Sequence, residues 1–283
     1  MMSNTQNETI SIATGMGTVM LLVLTGFFIF SDGYTTNVYT ELISGVATVV
    51  VIDRMNRQRN RNQLKQRLFN ELKSSVKGQG ASSLDWIRRE GWLSDDPLVG
   101  AELYRINWEN AYIGDLNLSD TDLSWSNLQR TTNKATKAKA SSLNLKRSNL
   151  ENANLAFAVM IGASFHKAKL HNADLTRSVL TYADLSDSDL TNARLEGADL
   201  QRVHFTNAKL FKTNLRGADI RHADFSAAIF TDKGTYALIL PDGMIWSLTT
   251  DMDVYTNPNH PQFMAKLKEI NLIRKEFGLQ QLR

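Results

Sequence analysis

From Leu145 onward a large apolar residue returns at every fifth position: Leu145, Leu150, Leu155, Met160, Phe165, Leu170 and so on, without a miss, to Phe225 and Phe230. A small residue stands two places before most of them, as at Ala153, Ala158, Ala163, Ala168, Ala173, Ser178, Ala183 and Ser188. A helix buries positions about 3.6 apart and a flat strand positions about 2 apart, so neither produces this interval. A sustained period of five requires a repeat architecture, in which each unit is stable only against its neighbours.

The units read ADLSD, SDLTN and ARLEG from Ala183. They resemble the A(D/N)LXX units of the pentapeptide-repeat family over roughly residues 101–230. The resemblance implies a mainly β fold, a right-handed quadrilateral β-helix with four units per coil. Each pentapeptide would form one side of a square, its large residue filling the lumen and its small residue lying where the chain turns. Residues 20 apart should then stack at about 4.8 Å, the spacing of hydrogen-bonded strands. The columns at that interval are Lys169, Asp189, Lys209; Asp174, Arg194; Glu196, Arg216; Asp184, His204, Asp224; and Asn152, Asn172, Asn192. Opposite charges alternate and amides meet amides, the favourable cross-strand pattern. Asp199 above Asp219 breaks it.

An earlier block keeps the same period at Leu103, Trp108, Ile113, Leu118, Leu123 and Leu128, out of phase with the later one by two residues. The slip falls near 129–145, where Asn133 and Ala138 take would-be core positions. A poorly filled coil or a looped-out segment between two solenoid blocks is expected there. The solenoid should be roughly 30 Å long at strand spacing.

The flanks are of a different kind. Residues 10–30 carry no charge, enough to cross a hydrocarbon core about 30 Å thick; the competing reading is a cleaved signal peptide. A second apolar run, 38–52, contains Glu41. With the polar link Ser31 to Asn37 it would complete a transmembrane helical hairpin, so 1–53 is expected to be a membrane anchor; otherwise the run is a buried or interfacial helix. No Lys or Arg precedes Arg54, and then Arg54, Arg57, Arg59, Arg61, Lys65 and Arg67 follow with no acid among them. The positive-inside rule keeps such a flank, and the large part behind it, in the cytoplasm. Membrane-linked bacterial members of the family share this layout, so the expected location is the bacterial inner membrane with a cytoplasmic C-terminal part. Residues 54–100 read as a basic helix and a linker. The helix either contacts anionic lipid or packs its stripe of Leu64, Leu68, Leu72 and Val76 on a partner. Residues 231–283 read as a hairpin around Pro241-Asp242-Gly243 and a helical cap bearing Phe263, Leu267, Ile270 and Phe277, covering the open solenoid end.

The chain has no cysteine, which excludes thiol chemistry, and no phosphate-loop, HExxH or GxSxG pattern. A lumen filled by Leu and Phe leaves no pocket, so no catalytic residue, cofactor or metal is expected. His204 between Asp184 and Asp224 reads as part of a charge ladder, the alternative being an acid-base or metal role. Some family members mimic duplex DNA and bind DNA gyrase through an acidic face. Residues 101–230 instead hold 16 Lys and Arg against 14 Asp and Glu, and nucleic acid is not an expected partner. The leading expectation is a membrane-tethered scaffold that docks a protein. A gyrase-directed DNA mimic is the alternative, and a polysaccharide-acting β-helix enzyme the third reading. Two surfaces are candidates. Phe157, Val159, Ile161, Val179 and Tyr182 are apolar at outward positions, forming either a contact site or a face covered by the chain itself. Arg130, Lys134, Lys137, Lys139, Lys146 and Arg147 form either an anion-binding slip region or a solvated run.

Overall fold

The computed structural model describes residues 33–133, 143–231 and 237–283. The chain divides into two compact units, Met1–Leu64 and Lys65–Arg283. Helix α1 (Gly33–Leu72) begins in the first and ends in the second.

Two expectations about the anchor are corrected here. Gly33 to Asn37, expected in a hairpin link, are the first turn and more of α1. The 38–52 run lies inside the same helix and passes without a break into the basic stretch. Among the described residues no helix is long and apolar enough to cross a membrane. The physical reason is length, since 15 residues rise only about 22 Å. The uncharged run 10–30 lies outside the described residues.

In the second unit every repeat contributes one bridge residue, and these stack in parallel into four faces. Face A stacks Glu102, Asp122, Asn149, Lys169, Asp189, Lys209 and Ile229, and face B Asn107, Asn127, Asn154, Asp174, Arg194, Asn214 and Ile239. Face C stacks Tyr112, Thr132, Val159, Val179, Asp199 and Asp219, and face D Asn117, Asn144, Ser164, Asp184, His204 and Asp224. Each side is one bridge long because a corner follows at once. The residue two past each luminal side chain turns into the left-handed region, as at Asn152, Phe157, Asn172, Tyr182 and Asn192, with φ between 57° and 64°.

The Asp or Asn before the luminal residue has a second task beside solvation. Its side-chain oxygen accepts the N–H two residues on, as from Thr176 to Asp174, Ser186 to Asp184 and Thr191 to Asp189, at 3.0–3.1 Å. The local bond holds the chain into the corner. Luminal Leu150, Phe165, Leu185 and Phe205 are fully buried, and the small residues between them fill the corners. Corner hydroxyls find carbonyls, Ser148 that of Leu145 and Ser188 that of Leu185.

At the slip the interval between stacked partners lengthens from 20 to 27, as in Asn117 with Asn144 and Thr132 with Val159, and returns to 20 from Asn144 with Ser164. Bridges continue across this point, so the described rungs on either side of it stack without interruption. Asn133 is fully buried at its core position. Its amide donates to the Ile161 carbonyl at 2.8 Å and accepts the Ile161 N–H at 3.1 Å, so the buried polar group is satisfied. Ala138 lies outside the described residues.

The N-terminal coil is covered by the end of α1 and by α2 (Gln79–Arg89). Leu68, Leu72, Leu84 and Ile87 are buried, and fully buried Trp108 donates its indole N–H to the Leu72 carbonyl at 3.0 Å. The leucine stripe thus serves the solenoid at Leu68 and Leu72, while Val76 is exposed.

At the other end the hairpin forms as expected, Ile239 pairing antiparallel with Ile245. It adds a last rung to face B and brings Trp246 onto Phe230, which continues the stack of Phe205, Phe225 and Phe230 out of the lumen. The short helix α3 (Asp253–Thr256) receives the His222 N–H at its Thr256 carbonyl. Helix α4 (Phe263–Glu276) buries Phe263, Leu267 and Ile270. Its first half is tied to the hairpin by Lys266, which donates to buried Asp242 at 2.8 Å beside the Tyr255 hydroxyl. Its second half runs along the corner between faces B and C, where Gly217 lies against Ile273 and Arg274 and Gly197 against Leu279. Both glycines have positive φ, 67° and 69°, which disfavours any side chain there, and a Cβ at Gly197 would also crowd Leu279.

Candidate functional site: the uncovered part of face C

Two successive rungs of face C carry no polar bridge residue. Val159 pairs with Val179, and Ile161 follows on the same side, held by Asn133. These three are half-buried. Phe157 stands at the corner with face B and Tyr182 at the corner with face D, and they are 39% and 55% exposed. The five residues read from the sequence therefore come together, as a recessed aliphatic strip between two projecting rings. Both rings have left-handed backbone, with φ of 59° and 64°. That conformation disfavours a bulky side chain by about 1 kcal/mol, and so much exposure returns little burial.

Arginines border the strip on both sides. The guanidinium groups of Arg130 and Arg177 lie 5.5 and 5.7 Å from the Phe157 ring centre, and that of Arg202 lies 5.4 Å from the Tyr182 ring. Arg177 also donates to the Phe277 carbonyl. Sequence reading missed Arg177 and Arg202 as part of this surface. The signal was present, since each lies 20 residues beyond the ring it covers.

The chain covers the next rungs of face C itself. Asp219 is buried and chelated by the Arg221 guanidinium at 2.9 and 2.7 Å, and Arg221 donates to the Arg283 carbonyl at 2.8 Å. Arg274, also buried, donates to the Gly217 and Gln280 carbonyls at 2.6 and 2.7 Å. Burial pulls its pKa down, against the opposing charges of Asp219 and Asp199. The stacked Asp199 and Asp219 that broke the charge pattern are thus answered by Arg221, two residues past Asp219, and by Arg274 of α4. The tail helps bury Asp219, while Asp199, half-buried like Val159 and Val179, faces a cavity that it shares with residues 280–283.

The basic slip residues are not one surface. Arg130 sits at the corner between faces B and C, 3.9 Å from Glu109. Arg147 lies at the diagonally opposite corner, in a two-pronged ion pair with Asp120 at 2.6 Å; each partner lowers or raises the other's pKa toward its charged form. Lys146 is exposed on face D, and Lys134, Lys137 and Lys139 lie outside the described residues. Four-sided geometry separates what is contiguous in sequence. On α1, Arg54, Arg57, Arg59 and Arg61 are exposed, with Arg57 paired to Asp53 at 2.7 Å. Lys65 approaches the rings of Phe69 and Trp92, and Arg67 pairs with Glu71 at 2.9 Å, so these two serve the N-terminal cover.

Of the expected columns, Asn152, Asn172 and Asn192 form a hydrogen-bonded ladder, and Asp174 with Arg194 and Asp189 with Lys209 are ion pairs at 3.4 and 3.7 Å. Glu196 and Arg216 do not pair: Glu196 meets Arg194 and Asn214, and Arg216 turns to Glu276 on α4, which competes for it. His204 reaches Asp224 at 4.0 Å and is largely exposed, and no group of ligating side chains among the described residues could hold a metal. A second apolar exposure, Met244, Ile245 and Leu248, lies on the hairpin beyond the last coil.

Eight copies of the pentapeptide repeat are matched by the family's sequence profile, over residues 141–177, 161–197 and 183–232. This stretch is a pentapeptide-repeat segment, and such repeats form the right-handed quadrilateral β-helix seen here. No curated protein matches the chain. Among solved structures, a pentapeptide-repeat protein from the Arabidopsis thaliana thylakoid lumen is 31% identical over 38% of this chain and 66% of its own, with a TM-score of 0.29. HetL of the cyanobacterium Nostoc, involved in heterocyst differentiation regulation, is 31% identical over 53% and 61%, with a TM-score of 0.20. QnrB1, a plasmid-mediated fluoroquinolone resistance protein, is 17% identical over 47% and 72%, with a TM-score of 0.24. The chain thus spans less than two thirds of the length of the first two.

Proposed function

We propose that this pentapeptide-repeat β-helix is a non-catalytic scaffold, tethered to the bacterial inner membrane by the 10–30 run and facing the cytoplasm, which docks a protein partner on face C. The observation that carries the docking is the open strip of Phe157, Val159, Ile161, Val179 and Tyr182, two rungs tall, in a fold whose other outward positions are mostly polar. Contiguous exposed apolar side chains on a soluble surface favour a contact site. The hairpin's exposed residues have a simpler account, because any solenoid ends in an edge; face C is a side wall. The tether rests on the uncharged run followed by the basic stretch of α1. The exposed arginines 54, 57, 59 and 61 are placed to contact anionic lipid, worth roughly 1 kcal/mol per residue near the surface.

The competing reading, a DNA mimic acting on gyrase, calls for one strongly acidic face. Here acids pair with bases on faces A and B, as in Asp189 with Lys209 and Asp174 with Arg194, and Asp219 of face C is chelated by arginine. Crosslinking and mass spectrometry in native membranes tests both. A membrane-associated partner lost on replacing Phe157 and Tyr182 together by Asn supports docking on face C, while recovery of gyrase instead, or crosslinks unchanged by the replacement, refutes it. A cysteine placed at Ser82 should resist impermeant thiol reagents in intact cells; its labelling would put the solenoid outside the cytoplasm.

A further inference from the structure

We infer that the segment seated on face C is acidic at its flanks and apolar at its centre, a deduction that rests on face C being the docking surface. The strip supplies only apolar contacts at its centre, and among the described residues the charged groups stacked on its two rings are all arginines. Arg130 and Arg177 line the corner toward face B, and Arg202 the corner toward face D. The acids around it are engaged within the chain: Glu109 by Lys77 at 3.1 Å and by Arg130, Asp174 by Arg194 and Asp219 by Arg221, while Asp184 accepts the Ser186 N–H and hydroxyl. Asp199 lies under the tail, beside Gln201, Arg221 and Arg274. An approaching segment therefore meets positive potential on both sides of an apolar floor. Carboxylates at its edges can form forked hydrogen bonds with the guanidinium groups, which stacking on Phe157 and Tyr182 already holds in place. Basic flanks would be repelled, so the arginines select as well as attract.

Shape argues for a protein segment rather than a lipid surface. The aliphatic floor is recessed between the two rings, and the tail crossing the next rung closes one side. A flat bilayer reaches projecting side chains, whereas a recessed floor is filled by side chains carried on a narrow backbone. The left-handed corners holding the two rings point the same way. The equivalent corners elsewhere hold mostly Asn, Asp, Arg, Lys or Gly, with Asn at 110, 152, 172, 192 and 207 and one further ring, Trp125, between faces A and B; Asn is suited to that conformation. Phe157 and Tyr182 differ from Trp125 in flanking rungs that are themselves apolar, Val159 and Val179, which fits a recognition task better than a folding one.

Two fluorescent peptides with the same Leu- and Phe-containing centre, one flanked by Asp and Glu and the other by Lys, provide the probe, with the full chain in detergent. The acidic peptide should bind at least about tenfold tighter, and its affinity should fall steeply as salt is raised, because the contributing charges are exposed. Arg130→Glu with Arg202→Glu should reverse the preference. Phe157→Asn with Tyr182→Asn should abolish binding of both peptides while the melting temperature stays within a few degrees, Asn being the residue that many other corners already use. Equal affinity for the two peptides, binding of neither, or a preference unmoved by the arginine reversals overturns the inference. So does binding to phosphatidylserine-containing vesicles, lost with the Asn pair, in place of peptide binding. Should the native crosslink still vanish with the Asn pair while the peptides show no preference, the docking surface stands and the acidic character of its partner falls.

Discussion

Replacing Leu185 by Ala tests the square-coil register at its centre. Leu185 is fully buried in the column of face D, between Phe165 and Phe205, themselves fully buried. The change removes three carbons, about 2.4 kcal/mol of transfer free energy at ~0.8 kcal/mol each. The walls have little freedom to close on the space. The Leu185 N–H donates to His204 at 2.8 Å, the Asp184 N–H to Ala163 at 3.0 Å and the Phe165 N–H to Asp184 at 2.7 Å, pinning the coil to both neighbours. The cavity therefore persists, and the total loss should be about 3–5 kcal/mol, the upper part of the range for buried leucines. Leu185→Met, which conserves volume, should cost under about 1.5 kcal/mol. Urea unfolding of the full chain followed by far-ultraviolet circular dichroism reads both, with the slope as a check that the same cooperative unit unfolds. A loss under about 1 kcal/mol for Leu185→Ala would mean that residue 185 is not luminal and that the register is wrong.

Asp189 separates two roles that the sequence merges. Its ion pair with Lys209 is exposed and worth at most about 1 kcal/mol, but it also accepts the Thr191 N–H and hydroxyl at 3.1 and 2.6 Å. Asp189→Asn keeps an acceptor and should fall within about 0.5 kcal/mol of the parent, whereas Asp189→Lys loses the corner bonds too and should cost about 1–2 kcal/mol; equal effects in urea unfolding would show that the ladder charge, not the corner, matters. Asp224 carries the pH dependence of the terminal coil. The Ser226 hydroxyl and N–H hold its pKa below the ordinary carboxylate value, against some desolvation, so its stabilisation is present above about pH 4 and is lost as pH falls through the lowered value. Asp224→Asn, which does not titrate, should lose less melting temperature between about pH 6 and pH 3 than the parent; an identical loss would remove Asp224 from the account.

The repeat was legible residue by residue because luminal filling and corner packing are local demands that every unit must meet. Leu150, Leu185 and Leu210 could each be placed from a period of five, and the four-unit coil then fixed which side chains stack, as the asparagine ladder at 152, 172 and 192 bears out. The five apolar residues of face C were legible for the same reason, being wrong for their places in a known pattern. What the pattern could not supply was whatever depends on segments that do not repeat. Whether Glu196 meets Arg216 was decided by α4, which takes Arg216 for Glu276. Where α4 lies could not be read from its apolar spacing; in the structure Ile273 and Arg274 come against Gly217 at the corner between faces B and C. The slip region read as one basic run, yet a square cross-section places Arg130 and Arg147 on opposite corners, since each five-residue step turns the chain by a quarter. The leucines of α1 likewise gave a stripe but no address; Leu68 and Leu72 are committed to the solenoid because the first coil exposes Trp108, which needs both an apolar cover and a carbonyl for its indole N–H. Periodic sequence determined the coil, and tertiary competition among single side chains decided which of its surfaces stayed open.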